Sequence, residues 1–400
     1  MIRTPRKTLA FFAVAALVAA GCSSTAATAS PTATVAATPT PAAATPTPAA
    51  GTPTPGASAS ALKIGVVTDV GSVDDKNFNQ YSYEGAKQAA TELGAPAAQY
   101  VVPKDASDYV TDIQGFVSQN YNVIVTVGFN LGDATIKAAK ANPNIWFIAV
   151  DVAPCVDATG APDPTFACKG DAATLLPKLI GIQFQEDQAG YLAGIVAAAV
   201  SKTGKVGMIG GINNNPAVVR YMQGFQLGAA SYKSSIAVKS AFYSTSDTTK
   251  AYADPTWGKT FGTQFISQQG VDVLFPVAGA TGNASLDAAC TAGIVAVGVD
   301  VDEYQSYTSA DKCLITSAEK HLSTAVDTTI KNIAAGTAKG GIAKFDATND
   351  GIGYAPLNEN ATLFSTIPTD VQGKLDSALA AMKAGTLKTC PDKCGTWTGQ

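Results

Sequence analysis

The sequence predicts an α/β protein of two lobes, each a parallel sheet covered by helices on both faces, with a hinge between them. From Leu62 onward short apolar runs alternate with helical patterns, and parallel strands buried on both faces read as such continuous apolar runs. Ten strand-like runs in the roughly 330 residues after the N-terminal region exceed one comfortable core. Several runs end in acids, amides or glycines, and in open α/β sheets ligands bind outside the carboxyl ends of strands.

The elements follow in order. Met1–Gly21 reads as an export signal: Arg3, Arg6 and Lys7 precede an apolar segment, Leu9–Ala20, too short to span a bilayer. It ends AAGC at Cys22, which resembles a bacterial lipobox with Ala19 where Leu is usual. Acylated Cys22 would be the mature N-terminus. Residues 22–61 are nearly all Ala, Thr, Pro, Ser and Gly and cannot bury a core. They form a linker reaching about 120 Å if extended and about 35 Å as a coil. No later segment is long and apolar enough to cross a bilayer.

The expected strands are Leu62–Thr68, Gln99–Val102, Val123–Val127, Ile145–Val150, Leu179–Phe184, Lys205–Ile209, Ile236–Phe242, Val271–Val277, Ile294–Val299 and Cys313–Thr316. Helical patterns between them include Tyr81–Leu93, Asp187–Ser201, Pro216–Tyr232 and Ser285–Ala292. The N-terminal lobe is expected at 62–184 plus 304–343, with Cys313–Thr316 returning to it. The C-terminal lobe is expected at 185–303 plus 344–389, including the helix Val371–Gly385, before a tail at 390–400.

Without Met1–Gly21 the chain carries 24 Lys+Arg against 31 Asp+Glu, net −7, which argues against binding nucleic acid or anionic lipid by charge. Six cysteines remain after Cys22. An even number in an exported chain favours disulfides, and sequence-local pairing joins Cys155 to Cys168, Cys290 to Cys313 and Cys390 to Cys394, one of fifteen connectivities. The only His is His321, so no metal site or cofactor is expected.

The stretch LKIGVVTDVGSVDDKNFNQ runs a strand into a loop of acids and amides around Phe78. Further segments offer polar groups at strand ends: WFIAVD, closing on Asp151; KVGMIGG, followed by Asn213, Arg220 and Phe225; PVAGATGN, with Gly279 and Gly282; and VGVDVD with LITSAEK. In this order DVGSVDDKNFNQ, YLAGIVAA, KVGMIGG, VAGATG, VGVDVD and TSAEK resemble the basic membrane protein (BMP) family of bacterial lipoproteins, whose known members include purine-nucleoside-binding components of ABC importers. The resemblance implies a type I periplasmic-binding-protein fold closing on its ligand. It assigns Asp69 to the base edge, Phe78 and Phe225 to aromatic stacking, Asn79 and Asp151 to the pocket, Asp300 to the ribose hydroxyls and Lys320 beside it. Gly279 shapes a turn. Ala280 and Asn130 depart from the family pattern.

The physical reading agrees. Aromatic faces sandwich a flat base, and a carboxylate accepts from two neighbouring hydroxyls. Asp69 as a helix cap and Phe225 as a core aromatic are the competing readings. The expected protein has no catalytic residues. It is a monomeric, lipid-anchored, extracytoplasmic receptor that passes a purine nucleoside to ABC permease subunits. A sugar-binding protein and a sensory ectodomain of the same fold are the alternatives.

Overall fold

The computed structural model describes residues 62–398; the export signal, Cys22 and the linker lie outside them. The strands are β1 (Ile64–Val67), β2 (Gln99–Val101), β3 (Val123–Val127), β4 (Trp146–Val150), β5 (Leu179–Phe184), β6 (Lys205–Ile212), β7 (Ala237–Ser244), β8 (Val273–Val277), β9 (Val295–Asp300), β10 (Leu314–Lys320), β11 (Gly341–Phe345) and β12 (Ile352–Tyr354). They form two six-stranded sheets, ordered β11-β5-β4-β3-β1-β2 and β12-β10-β9-β8-β6-β7. The two orders are topologically the same. β1 to β5 correspond to β6 to β10, and the edge strands β11 and β12 to each other. The first sheet is parallel throughout; in the second only β12 runs antiparallel.

Central strands are apolar because both faces are covered: VIVTV in β3 and VLFPV in β8 are buried at every position. Pro276 gives β8 a peculiarity. β8 stays paired with β6 through Val277, but its ladder to β9 holds only Val273 and Leu274. Proline has no N–H to donate, and the second sheet splits there toward its carboxyl end.

One expectation is corrected. Cys313–Thr316 does not return to the first half. It opens β10, which runs on through Ser317–Lys320 and pairs in parallel with β9. The polar residues at its end hid its full length. The return falls one residue later, at His321. The helix Leu322–Ala334 then packs on the helix Phe78–Glu92, where Ser323 Oγ donates to Tyr81 O at 2.7 Å. β11, not expected as a strand, pairs with β5 in the first sheet, and the chain crosses again to β12. The chain thus passes between the sheets after β5, β10 and β11. His321 N donates to Gly351 O at 3.0 Å, tying two of these passages together.

The helices Glu186–Val200 and Pro216–Tyr232 pack almost backbone to backbone. A Cβ on Gly224 would lie 2.0 Å from Asp187 O and one on Gly228 1.9 Å from Tyr191 O; Gly190 and Gly194 face Tyr221 O and Phe225 O at 2.2 Å. Only glycine admits this approach. Disulfides join Cys155–Cys168, Cys290–Cys313 and Cys390–Cys394. Among the described residues no helix is long and apolar enough to cross a membrane.

Candidate functional site

The carboxyl ends of the two sheets face each other across a cleft of about 690 Å³ including its mouth, within the range of small-molecule sites. The first half contributes Asp69, Asp75, Phe78, Asn79, Phe129 and Asp151; the second contributes Asn215, Tyr221, Tyr252, Gly279, Asp300 and Lys320.

Asp69 leaves the end of β1. Its carboxylate accepts from Val70 N at 2.7 Å, from Asn130 Nδ2 at 2.8 Å and from the Tyr109 hydroxyl. It lies against the backbone of Gly128, where a Cβ would stand 2.6 Å from Asp69 Oδ2 and φ is +116°. Burial raises its pKa, with the hydrogen bonds opposing. The cap of the next helix is Asp75, not Asp69: its carboxylate accepts from the backbone N–H groups of Asn77, Asn79 and Gln80 at 2.9–3.1 Å and from Asn79 Nδ2 at 3.0 Å. This satisfies donors that a helix start leaves unpaired and sets Phe78 on the first turn, facing the cleft.

Asp151 and Asp300 are structural counterparts. Each follows or ends the fourth strand of its half, and each has a left-handed backbone, with φ of 60° and 67°. This conformation is uncommon outside glycine and is tolerated best by Asn and Asp. At Asp300 the chain closes a three-residue turn, with Val301 N donating to Val299 O at 2.8 Å, the rare and strained kind of γ-turn. Such strain persists where surrounding structure holds it, often at functional sites.

Both carboxylates converge on one ammonium. Lys320 Nζ lies 2.5 Å from Asp151 Oδ2 and 3.3 Å from Asp300 Oδ1. It also sits 4.5 Å from the centroid of the Phe78 ring, a cation–π distance. Burial pulls the lysine pKa down, but Asp151, Asp300 and Glu186 outweigh it and hold the ammonium charged. Burial pushes Asp151 up to about 6 against the pull of Lys320. Four acids, Asp69, Asp75, Asp151 and Asp300, thus line the cleft with a single lysine, an environment hostile to an anion.

Phe225 does not reach this site, which corrects the expectation for it. It is fully buried and stacks on Phe275, with ring centroids 5.0 Å apart and planes at 18°. The glycines of GFQLG are the reason: Gly224 and Gly228 press their helix onto its neighbour, and Phe225 points into the core. The cleft aromatic of that helix is Tyr221, one turn closer to the strand ends. Arg220 pairs with Glu186 at 2.6 Å behind the cleft. Sequence reasoning misses Tyr252, Phe129 and Asn215 as site residues. Asn215 carries a signal, being a capping amide before Pro216 at a helix start. Tyr252 carries none; its ring fits over Gly211, where a Cβ would touch it at 2.3 Å.

Two matched sheets joined by three chain passages, with a polar, ring-walled cleft between their carboxyl ends, have the architecture of a solute-binding protein. The chain belongs to the Bmp family, described as ABC transporter substrate-binding protein PnrA-like, matched over residues 62–376. This is a family of extracytoplasmic solute-binding proteins that work with ABC permeases, not of enzymes. The chain is 29% identical over 309 residues to the ABC transporter nucleoside-binding protein BmpA of Lactococcus lactis, covering 73% of this chain and 80% of that one. It is 27% identical over 304 residues to basic membrane protein D of Borreliella burgdorferi, covering 76% and 81%. Its fold is similar to that of a solute-binding protein of an ABC transporter system from Aeropyrum pernix, with TM-score 0.69 at 22% identity, covering 83% and 94%.

Proposed function

We propose that this chain captures a purine nucleoside in the cleft, closes on it by a hinge motion, and presents it to an ABC importer from a lipid anchor at Cys22. The observation that carries the reading is the convergence of Asp151 and Asp300 on Lys320 beneath the Phe78 ring. Ionised carboxylates accept from paired hydroxyls, and the ring offers a face to a planar base. Asp69, at the end of β1 two strands from β4, accepts from a base N–H. The acidic surplus favours an uncharged ligand over a nucleotide. A nucleoside-binding name among the relatives supports the same reading. The two sheets with their helices are the lobes that close, and the chain acts as a monomer.

Isothermal titration calorimetry with inosine, adenosine, guanosine, uridine, ribose, adenine and inosine monophosphate tests the proposal. Tight binding of a purine nucleoside, with none of ribose, free base or the monophosphate, is the expected result. Binding of ribose or another sugar without nucleosides overturns the ligand. Mass spectrometry of the membrane-extracted protein tests the anchor: a diacylglyceryl mass on Cys22 is expected, and an unmodified residue there overturns it.

A further inference from the structure

Asn77 stands beside Phe78 yet does not line the cleft. Its side chain leaves the first half and enters the second, where Nδ2 donates to Glu303 Oε1 at 2.7 Å and to Val299 O at 3.2 Å. Asn77 and Glu303 are both fully buried. Glu303 is fixed from its own side: its Oε2 accepts from Val299 N at 3.0 Å, and its backbone N–H donates to Ser317 Oγ at 3.1 Å. The Asn283 amide, turned so that its nitrogen faces the acid, adds a donor 2.7 Å from Oε1. A Cβ on Gly298 would lie 2.7 Å from Glu303 Oε2, so the acid also rests on the bare backbone of β9.

Val299 is the residue before Asp300, and its carbonyl also closes the γ-turn on which Asp300 sits. Asn77 and Glu303 therefore grip both backbone polar groups of Val299, one from each half of the molecule. Asn77 is held in turn by Asp75, which accepts its N–H at 2.9 Å and caps the helix that carries Phe78. One short path thus runs from the stacking ring, through Asn77, to the turn that aims Asp300.

We propose that Asn77 is a latch and a positioning residue: with Glu303 it holds the two halves together in the free protein and couples that closure to the placement of Phe78 and Asp300. A buried donor–acceptor pair suits the task. The pair is satisfied only when the halves meet, and separating them frees both groups to be hydrated, so the contact favours closure modestly and reversibly.

Asn77→Asp tests this, because it sets a second carboxyl against Glu303 without changing size. Glu303→Gln in the same chain restores a donor for the introduced acid while its amide oxygen still accepts from Val299 N, leaving only the bond to Val299 O unmade. Small-angle X-ray scattering of the free full-length chain is expected to show a larger radius of gyration for N77D and a return toward the wild-type value for N77D/E303Q. Stopped-flow displacement of inosine, which alone rests on the nucleoside reading, is expected to show dissociation at least about tenfold faster for N77D, the scale of one lost buried hydrogen bond. Partial rescue is expected in the pair, with little change in melting temperature in either variant. Equal scattering for all three proteins overturns the latch. A wild type that binds none of inosine, adenosine and guanosine overturns the nucleoside reading, and the scattering still decides the latch.

Discussion

The two halves are built on one plan, and the difference that shapes the cleft lies in their fifth strands. β5 and β10 pair with β4 and β9 in matching register: Ile182 lies opposite Val150 as Ala318 lies opposite Val299. Two residues further on, the first half has Phe184 and the second has Lys320. The lysine Nζ stands 5.6 Å from the centroid of the Phe184 ring. The counterparts Asp151 and Asp300 are alike in backbone and in residue type, yet this one difference gives them a single shared cation. A duplicated scaffold thus supplies two acids by symmetry and one ammonium by breaking it.

Removing that cation breaks the comparison outright. Lys320→Met leaves two buried carboxylates without their shared cation, and breaking a buried ion pair costs about 3–5 kcal/mol. Urea unfolding is expected to show a loss of that order, and calorimetry no nucleoside binding.

Two of the four interhelical glycines sharpen it next. Gly224→Ala or Gly228→Ala would place a methyl about 2 Å from a facing carbonyl, and forced overpacking costs about 1–3 kcal/mol. Gly373, on the helix Val371–Lys383, is the control, because a Cβ there would meet nothing within 4 Å. Gly373→Ala is expected to stabilise by about 0.5–1 kcal/mol, and denaturant midpoints distinguish the two cases.

The acids themselves are expected to be unequal. Asp151 is committed to Lys320 at 2.5 Å, whereas Asp300 holds it at 3.3 Å and is freer to accept from a ligand. Asp300→Asn is expected to weaken inosine binding by about 100-fold, as charge-assisted hydrogen bonds are worth about 1.5–3 kcal/mol; Asp151→Asn is expected to weaken it less. Equal losses by calorimetry would show that the symmetry extends to the ligand.

A pH-dependent contrast concerns the residue three beyond each acid, Pro154 in the first half and Glu303 in the second. Burial pushes Glu303 up to about 8 from an ordinary 4.5. The folded state therefore holds this proton more tightly than the unfolded one. Its contribution to stability is full below about pH 4.5 and is lost as the pH rises through 8, at no more than about 1.4 kcal/mol per pH unit. Melting temperatures from pH 5 to 8 are expected to decline, less steeply in Glu303→Gln.

Much of this is legible in the sequence, for physical reasons. Strands buried on both faces announce themselves as apolar runs, and β3 and β5 match their expected bounds to the residue. β11 and β12 give no such sign, because an edge strand such as GIAKF alternates buried and exposed positions over only five residues. β10 reads short because its last residues, SAEK, are polar where the strand meets the cleft. The same burial argument explains the site. Asp69, Phe78, Asn79, Asp151, Gly279, Asp300 and Lys320 all line the cleft because a polar group at the end of an apolar strand has few other places to face. Phe225 fails because a helical aromatic carries no such sign, and a single turn decides between core and cleft.

The three passages between the sheets carry a consequence for how the chain acquires its shape. The first sheet begins at Ile64 but its edge is closed only by β11, at Gly341–Phe345. A growing or truncated chain that stops before Gly341 leaves β5 as a bare parallel edge, an open template for another strand. Neither half is a contiguous piece of chain, so neither can be finished while the other is missing. Assembly must wait for pairings between residues some 160 positions apart, Ile180 with Gly341 among them. Contacts so distant in sequence make folding slow, and the two halves should gain and lose their order together.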